Sequence, residues 1–451
     1  MRSKRHRNCS RFLSVRLPLV LAAMLPALPA TTVAEDTASG TPFVSFSDFM
    51  RSVNSARAEN YMGQHSAKVR DAAEFAAMRS YLLTLYQGVG VSHSFALDDQ
   101  VFDCVPIMQQ PSVRQLGLSR IASPPPFSPS GAATASAAPE KRPTIDRYGN
   151  FQECADGTIP MRRITLDELS RFETLREFFK KAPGSDSQSQ EGQPPTTSVT
   201  HRWAHAYEFV DNYGGQALHN AWIPKVNTSA TEVFSLSQQW YTGGSGSAVQ
   251  TAEIGWQNYP QKWGGQKATM FVYWTADDYN TTGCYNLECD GFVQYSSKHP
   301  LGTALTPVSK SGGAQYEEYF GYYLYKGEWW AAVGGSAKTS YWVGYLPVSI
   351  YKGGQMSNYA TEFDIGGETA GETHWAPMGS GQWAKTGWQI AAYDRAIQYR
   401  DSSNNVYTPT LTPTTQGSNA YKCFSITNPA YSAGNGWLTY FYFGGPGGTK
   451  C

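Results

Sequence analysis

All thirteen tryptophan residues of this 451-residue chain lie after position 200, between Trp203 and Trp437. The same half carries recurrent runs of Tyr, Trp, Phe and Val, which are typical of β-strands, and Gly-rich turns such as Lys326-Gly327 separate them. These runs predict an all-β fold for residues 201–451, in the form of an antiparallel β-sandwich. The predicted strands are Ala268–Thr275, Phe292–Ser296, Tyr316–Tyr325, Trp329–Val333, Tyr341–Ile350, Trp388–Tyr393 and Trp437–Phe443.

Residues 35–182 predict a small mixed α/β domain instead. Apolar residues at helical spacing occur over Val69–Tyr86 and again from Thr165 to Lys181. Thr165 and Glu168 have the spacing of a capping box, which marks the start of the second helix.

The first 34 residues have the pattern of an export signal. Basic residues come first, an apolar run over Leu17–Ala30 follows, and small residues extend to Ala34. The run is too short for a membrane span, which leaves an interfacial anchor as the alternative. No later segment is apolar enough to cross a bilayer. We therefore expect a secreted, extracellular protein, or a periplasmic one in a Gram-negative host.

The cysteine count agrees with export. Of seven cysteines, Cys9 lies in the signal and six remain, an even number that suggests disulfides in an exported chain. Six cysteines allow fifteen connectivities, and the sequence leaves them open. Proximity favours the pairs Cys104–Cys154, Cys284–Cys289 and Cys423–Cys451.

Two polar stretches lie outside the predicted helices and strands, one within the first part of the chain and one between the first part and the second. Residues 121–143 are rich in Pro, Ala and Ser and predict an exposed loop, and residues 183–200 predict a solvated linker. The first part is either an independent helical module or a pro-domain that covers residues 201–451 until the linker is cut. The order of signal, small domain, linker and disulfide-bonded domain favours a zymogen.

Charge excludes some partners. Acidic and basic residues balance at 36 each, so no net field favours nucleic acid or an anionic membrane.

The Gly-x-Ser-x-Gly pattern of serine hydrolases is missing after residue 200. His201 and His205 stand four apart in a strand-like segment without the glutamate of a zinc helix, which argues against a metal site.

Carboxylates remain as candidates for catalysis. Glu253 is a lone acid in an apolar, aromatic strand-like stretch, and Glu368 stands in an equally uncharged one after Gly366-Gly367. An ionised carboxylate is costly in such surroundings unless it is paired. Taken singly, each is equally well explained as a strand acid that points at water. Together they suggest a pair that shares a proton and does acid–base chemistry.

Ordered motifs carry a resemblance to the neprosin family of secreted glutamic peptidases, which cut at proline. It spans nearly all of residues 201–451, and a shorter likeness to the family's activation peptide covers Phe102–Val105 and Cys154–Arg163. The motifs are Phe234-Ser235-Leu236-Ser237-Gln238-Gln239-Trp240, Glu253-Ile254-Gly255-Trp256-Gln257, Tyr273-Trp274-Thr275-Ala276-Asp277, Thr282-Gly283-Cys284-Tyr285-Asn286-Leu287, Gly291-Phe292-Val293-Gln294, Gly366-Gly367-Glu368 and Met378-Gly379-Ser380-Gly381.

The resemblance implies that Glu253 and Glu368 are the catalytic pair and that the cleft lies across one sheet. Glu362 competes for the second position, but Glu368 follows Gly-Gly, as the family's acid does. It also implies a zymogen whose pro-domain is the inhibitor and whose substrates are proline-containing peptides or proteins. No metal or other cofactor is required, because water held between the two acids attacks the peptide bond.

Aromatic side chains are expected to grip the stiff, apolar proline ring. Trp256, next to the first acid, is one predicted wall of the pocket, and Tyr322 and Trp342 are two more. Two other functions fit the same features. One is a β-sandwich glycoside hydrolase with two carboxylates, and the other is a lectin-like binder without catalysis.

Overall fold

The computed structural model describes residues 42–129, 144–182, 199–335 and 339–451. The predicted signal segment, most of the predicted loop over 121–143 and nearly all of the predicted linker lie outside the described residues. Residues 44–451 form one compact unit. Within the described ranges, no helix combines the length and the apolar character that a membrane crossing needs.

The first part, residues 42–182, combines short helices with a three-stranded sheet of order β1-β2-β3. Its helix α3 buries an apolar row that includes Met78 and Leu82. The helices are α1 Phe46–Ser55, α2 Glu59–Met62, α3 Ala72–Leu85, α4 Pro111–Gln115, α5 Leu166–Leu169 and α6 Leu175–Phe179, and the strands are β1 Ser94–Leu97, β2 Gln100–Pro106 and β3 Thr158–Arg162.

The second part, residues 199–451, is almost entirely strand. It contains one short α-helix among its described residues, α7 Pro260–Trp263. The strands are β4 Thr200–Glu208, β5 Gly214–Asn220, β6 Glu232–Gly243, β7 Gln250–Asn258, β8 Thr269–Thr275, β9 Val293–Gln294, β10 Glu317–Tyr325, β11 Glu328–Gly334, β12 Ser340–Pro347, β13 Glu362–Gly371, β14 Ala392–Arg400, β15 Val406–Tyr407, β16 Thr412–Gln416, β17 Ser425–Ile426, β18 Ala430–Ser432 and β19 Leu438–Gly444.

These strands form two antiparallel sheets. One has six strands in the order β16-β4-β13-β6-β7-β8. The other has ten, with β17-β19-β14-β5-β10-β11-β12-β9 as its main path, β15 beside β14 and β18 beside β19. Side chains from the inner faces of both sheets share one apolar core, where the ring of Tyr241 meets those of Tyr322 and Trp329. The predicted antiparallel β-sandwich is therefore confirmed.

Two predicted elements differ from the structure. The helix expected from Thr165 to Lys181 is split into α5 and α6, although the capping box of Thr165 and Glu168 is present. Thr174 caps a new helix by accepting a hydrogen bond from the Glu177 N–H, so the chain turns instead of continuing. The strand expected over Trp388–Tyr393 begins only at Ala392.

Three disulfides stabilise the molecule, and they join the cysteines that proximity paired. Cys104–Cys154 lies within the first part, whereas Cys284–Cys289 and Cys423–Cys451 lie within the second. No described disulfide joins the two parts, so a cut between them would leave only non-covalent contacts.

Candidate active site

Glu253 lies in β7 and Glu368 lies in β13, and both strands hydrogen-bond to β6 between them. Successive side chains of a strand point to opposite faces, so Ile254 enters the sandwich core while Glu253 points to the outer face of the six-stranded sheet. The two glutamates are only 0 % and 1 % exposed. They are buried because residues of the first part cover this outer face.

One lysine of the first part joins the two acids. Lys181 Nζ lies 2.6 Å from Glu253 Oε2 and 2.9 Å from Glu368 Oε2. Because both oxygens contact the same nitrogen, Glu253 Oε2 and Glu368 Oε2 are at most about 5.5 Å apart, the sum of the two distances. Tyr285 holds the lysine backbone in place, because its hydroxyl donates a 3.0 Å hydrogen bond to the Lys181 carbonyl. The fold thus brings together two acids that are distant in sequence and places a cation between them.

Each glutamate has its own set of donors. The hydroxyls of Thr251 and Tyr279 donate to Glu253 Oε1 at 2.9 Å and 2.7 Å. His201 Nδ1 lies 2.5 Å from Glu368 Oε1, and Gln238 Nε2 donates to Glu368 Oε2 at 3.1 Å. These bonds fix the orientation of both carboxylates independently of Lys181.

The charges set the protonation of the site. Burial acts to raise the pKa of Glu368, but the Lys181 charge and the hydrogen bond with His201 outweigh it and lower that pKa to about 2. Burial opposes the charge of Lys181, yet the two carboxylates raise the pKa of its ammonium group above its ordinary value. The structure therefore holds a charged lysine against an ionised Glu368.

A cleft of about 490 Å³ runs over these residues along the outer face of the six-stranded sheet. Its aromatic lining comes from Trp203, Trp240 and Tyr279, and its acidic lining includes Glu362 and Asp364. Strand periodicity explains the acidic row, because the side chains of β13 that are two or four positions apart share one face.

Glu362, the competing assignment, lies in the same cleft but lacks the contacts of Glu368. Burial and the neighbouring Asp364 raise its pKa to about 7. His205 Nδ1 lies 3.0 Å from Asp364 Oδ1, so this end of the cleft has its own histidine–acid pair. Lys181 bridges Glu368 and not Glu362.

The three predicted aromatic walls lie elsewhere, which corrects that expectation. Trp256 follows Ile254 by two positions on β7, so both side chains point to the same face and enter the core. There the indole N–H of Trp256 donates to the Asn220 carbonyl. Tyr322 belongs to the other sheet and is also buried in the core. Trp342 lies on β12, on the outer face of the ten-stranded sheet, and its indole N–H donates to the Phe127 carbonyl.

Sequence reasoning did not select several residues of this site. Thr251 lies two positions before Glu253 on the same strand, so strand periodicity alone predicts that the two side chains share a face. Gln238 lies within the motif Phe234–Trp240, and the spacing of His201 from His205 bears only on metal binding. Lys181 and Tyr279 gave no local signal, because only the folded chain brings them to the acids. Within the described ranges, no three or more His, Cys, Asp or Glu side chains cluster as metal ligands.

A comparison with protein-family models agrees with the sequence motifs. Residues 231–446, which include both glutamates, match the family model described as Neprosin. The resemblance to that family is confirmed over this range. Two crystal structures of scytalido-glutamic peptidase are also similar, one with a peptide-based transition state analog and one with a transition state analog inhibitor. They show 11 % and 9 % sequence identity and TM-scores of 0.29 and 0.30, and each match covers 55 % of this chain and 98 % of that chain.

Proposed function

From the Neprosin domain at residues 231–446, we propose that the chain is a glutamic endopeptidase. In this proposal it is secreted as a zymogen, acts in acid and cleaves peptide bonds at proline. One observation carries the proposal: Glu253 and Glu368, from different strands, both contact a single atom, Lys181 Nζ. A position within hydrogen-bond reach of two fixed carboxylates is where a hydrolytic water is needed once the lysine has left.

The donors suggest which acid has which role. Glu368 accepts from Gln238 and pairs with His201, and these partners favour its ionised form even without Lys181. Glu368 then takes a proton from the water, whose oxygen forms the new bond to the scissile carbonyl carbon. Glu253, protonated, donates a hydrogen bond to the carbonyl oxygen as negative charge develops there. The C–N bond then breaks as a proton passes to the leaving nitrogen.

The cleft suggests how proline is recognised. Its aromatic side chains, Trp203, Trp240 and Tyr279, lie near the paired acids along the same face. A proline ring is apolar and conformationally fixed, so packing it against flat rings orders few rotatable bonds. We assign the proline pocket to these three residues in place of the three expected from the sequence.

Inhibition by the first part is the remaining element of the proposal. In this proposal the Lys181 ammonium group occupies the position of the hydrolytic water, and Lys180 and Lys181 both line the cleft. A buried hydrogen bond also anchors the same segment, because Lys262 Nζ of the second part donates to the Phe178 carbonyl at 2.7 Å, while its ion pair with Glu288 Oε2, at 2.6 Å, lies within the second part. Acid weakens such a cover as the carboxylates become protonated.

Replacement of either acid tests the catalytic assignment. The variants Glu253→Gln and Glu368→Gln keep the shape of the side chain but remove acid–base chemistry, a loss of about 10²- to 10⁴-fold in rate. Trace wild-type enzyme processes each variant first, and hydrolysis of a proline-containing peptide is then followed at acidic pH. The matched control is Glu372→Gln, just beyond β13, which should keep wild-type activity. Full activity in either catalytic variant contradicts the assignment, and cleavage of β-glucans instead of peptides contradicts the reaction class.

Latency has a separate test. The intact chain should be inactive at neutral pH, and activity should appear together with a cut within residues 183–200 after acidification to about pH 3–4, near the ordinary carboxyl pKa. Mass spectrometry locates the cut and a peptide assay follows activity over the same time course. Activity in chains that remain intact would contradict the zymogen.

A further inference from the structure

The proline-rich segment of the first part lies on a prepared surface of the second part. It reads Ser123-Pro124-Pro125-Pro126-Phe127-Ser128-Pro129, and the sequence predicted an exposed loop there. In the structure Pro125 and Pro129 are buried and Phe127 is half-buried. The segment crosses the outer face of the ten-stranded sheet, which is the sheet without the paired acids. We call the residues of β10, β11, β12 and β14 that it contacts the outer groove.

Aromatic side chains form the floor of the outer groove. The Phe127 ring lies 5.4 Å from Tyr323, 6.1 Å from Tyr325 and 6.3 Å from Trp342, measured between ring centroids and in edge-on geometry. Trp330 extends this aromatic surface below Trp342, at 6.3 Å. Such pairs add to the free energy gained from apolar burial.

Hydrogen-bond donors accompany the rings. Trp342 Nε1 donates to the Phe127 carbonyl at 3.0 Å, and the Tyr319 hydroxyl donates to the Pro129 carbonyl at 3.0 Å. The guanidinium of Arg400 donates to the same Pro129 carbonyl. With the segment in place Arg400 and Tyr319 are 1 % and 2 % exposed, and both also donate to Gln216 Oε1 of β5, which holds them within the fold.

This arrangement matches the chemistry of a proline-rich chain. Proline residues have no N–H, so such a chain offers its partners carbonyl acceptors and apolar rings. The outer groove offers the complement, with indole, phenol and guanidinium donors between aromatic rings, as in other proteins that bind extended proline-rich segments. The indole N–H of Trp330, beneath Trp342, is buried and has no hydrogen-bond partner among the described residues.

We propose that the outer groove is a binding site for proline-rich peptide chains, separate from the catalytic cleft. In the uncut chain its occupant is the protein's own residues 121–129. No described disulfide holds the first part to the second. When the first part leaves, the groove becomes available to proline-rich stretches of a protein substrate and holds them near the enzyme. Only this last step rests on the proposed peptidase function.

The test empties the groove in the full-length protein at neutral pH, where no hydrolysis is involved. A variant with Pro125→Ser, Phe127→Ser and Pro129→Ser loses the groups that occupy the groove, and Phe127→Ala alone is a milder second variant. The probe is a fluorescent peptide with the sequence of residues 121–129, and binding is measured by anisotropy. Because the tethered segment competes at a high effective concentration, we expect at least about tenfold tighter binding to the emptied variants than to wild type.

Two controls make the result specific to proline and to this surface. A peptide in which the prolines are replaced by alanine should bind at least about tenfold more weakly, because it loses the fixed backbone and the rings. Trp342→Phe in the emptied background keeps an aromatic ring but removes the donor to the peptide carbonyl, and it should weaken binding about threefold or more. Equal binding to wild type and both emptied variants, or equal binding of the alanine peptide, overturns the proposal. Because the assay needs no catalysis, failure of the Glu253→Gln test would leave this result unaffected.

Discussion

The two sheets of the sandwich differ most in how their outer faces are covered. On the six-stranded sheet, the cover is ionic, since Lys181 of the first part lies between Glu253 and Glu368. On the ten-stranded sheet, the cover is apolar, since Phe127 lies among aromatic rings and neutral carbonyls accept the hydrogen bonds. We therefore expect acid to weaken the contacts of Lys181 with the two glutamates more than the contacts of Phe127.

The two kinds of contact are expected to respond differently to pH. A buried ion pair is sensitive to pH because protonation removes one partner and leaves the other uncompensated. Aromatic packing itself carries no charge that acid removes, although Glu328, opposite Tyr325 in the β10–β11 register, has a pKa that burial raises to about 7. We expect the ionic cover to decide when the chain opens and the apolar cover to contribute a constant stability.

The largest expected effect comes from Lys181→Met, which keeps the length of the side chain but removes its charge. Two buried carboxylates then lack their cation at pH 7, and we expect a loss of about 3–5 kcal/mol in the free energy of unfolding. Urea unfolding of the intact chain measures it. Lys225→Met, at an exposed lysine, is the control, and an equal loss in both variants would mean that the bridge to the acids is not what stabilises the cover.

Wild-type protein should show the same interaction as a pH dependence. The pKa of Glu368 lies at about 2 in the fold, below its ordinary value of 4.5, so its stabilisation is complete above about pH 4.5 and is lost as the pH falls toward 2. This difference between the two pKa values corresponds to about 3 kcal/mol in the free energy of unfolding. Urea midpoints between pH 7 and pH 2 check it, and Lys181→Met should flatten the curve. An unchanged slope in that variant contradicts the electrostatic interpretation.

On the other sheet, Phe127→Ala should lower the stability of the intact chain by about 2 kcal/mol, since a half-buried ring loses part of its apolar contact. The loss should be the same at pH 7 and pH 4. Phe151→Ala, at a ring of the first part that is 57 % exposed, is the matched control and should have little effect. A strongly pH-dependent loss would erase the distinction between the two covers.

The smallest effect is expected from Tyr319→Phe. It removes one hydroxyl that donates to the Pro129 carbonyl while Arg400 still donates to it, so we expect a loss of about 1 kcal/mol. Thermal unfolding of the intact chain measures the change against Tyr421→Phe, whose ring is 66 % exposed. A loss as large as that of Phe127→Ala would show that polar contacts, not ring packing, dominate this surface.

Much of the architecture was predictable because strand alternation and aromatic content are local properties. The hairpin at Lys326-Gly327 was one such case, since both residues have positive φ and a tight turn requires it. The break in the long helix predicted from Thr165 was not predictable in this way. The apolar residues continue at helical spacing, but Thr174 starts a new helix as its N-cap. The pocket assignments of Trp256 and Tyr322 failed for a different reason, since a nearby position in sequence does not tell which face of a strand meets the substrate.

Local sequence patterns were enough to predict a β-sandwich in the second half and to single out Glu253 and Glu368, because an unpaired carboxylate that loses its solvation in an apolar strand is costly. The folded chain was needed to show that the two acids meet, that Lys181 lies between them, and that Trp342 contacts a proline-rich segment on the opposite sheet. These are contacts between residues far apart in the chain. The pairing of strands and the packing of the first part against both sheets create them, and no local pattern encodes that geometry.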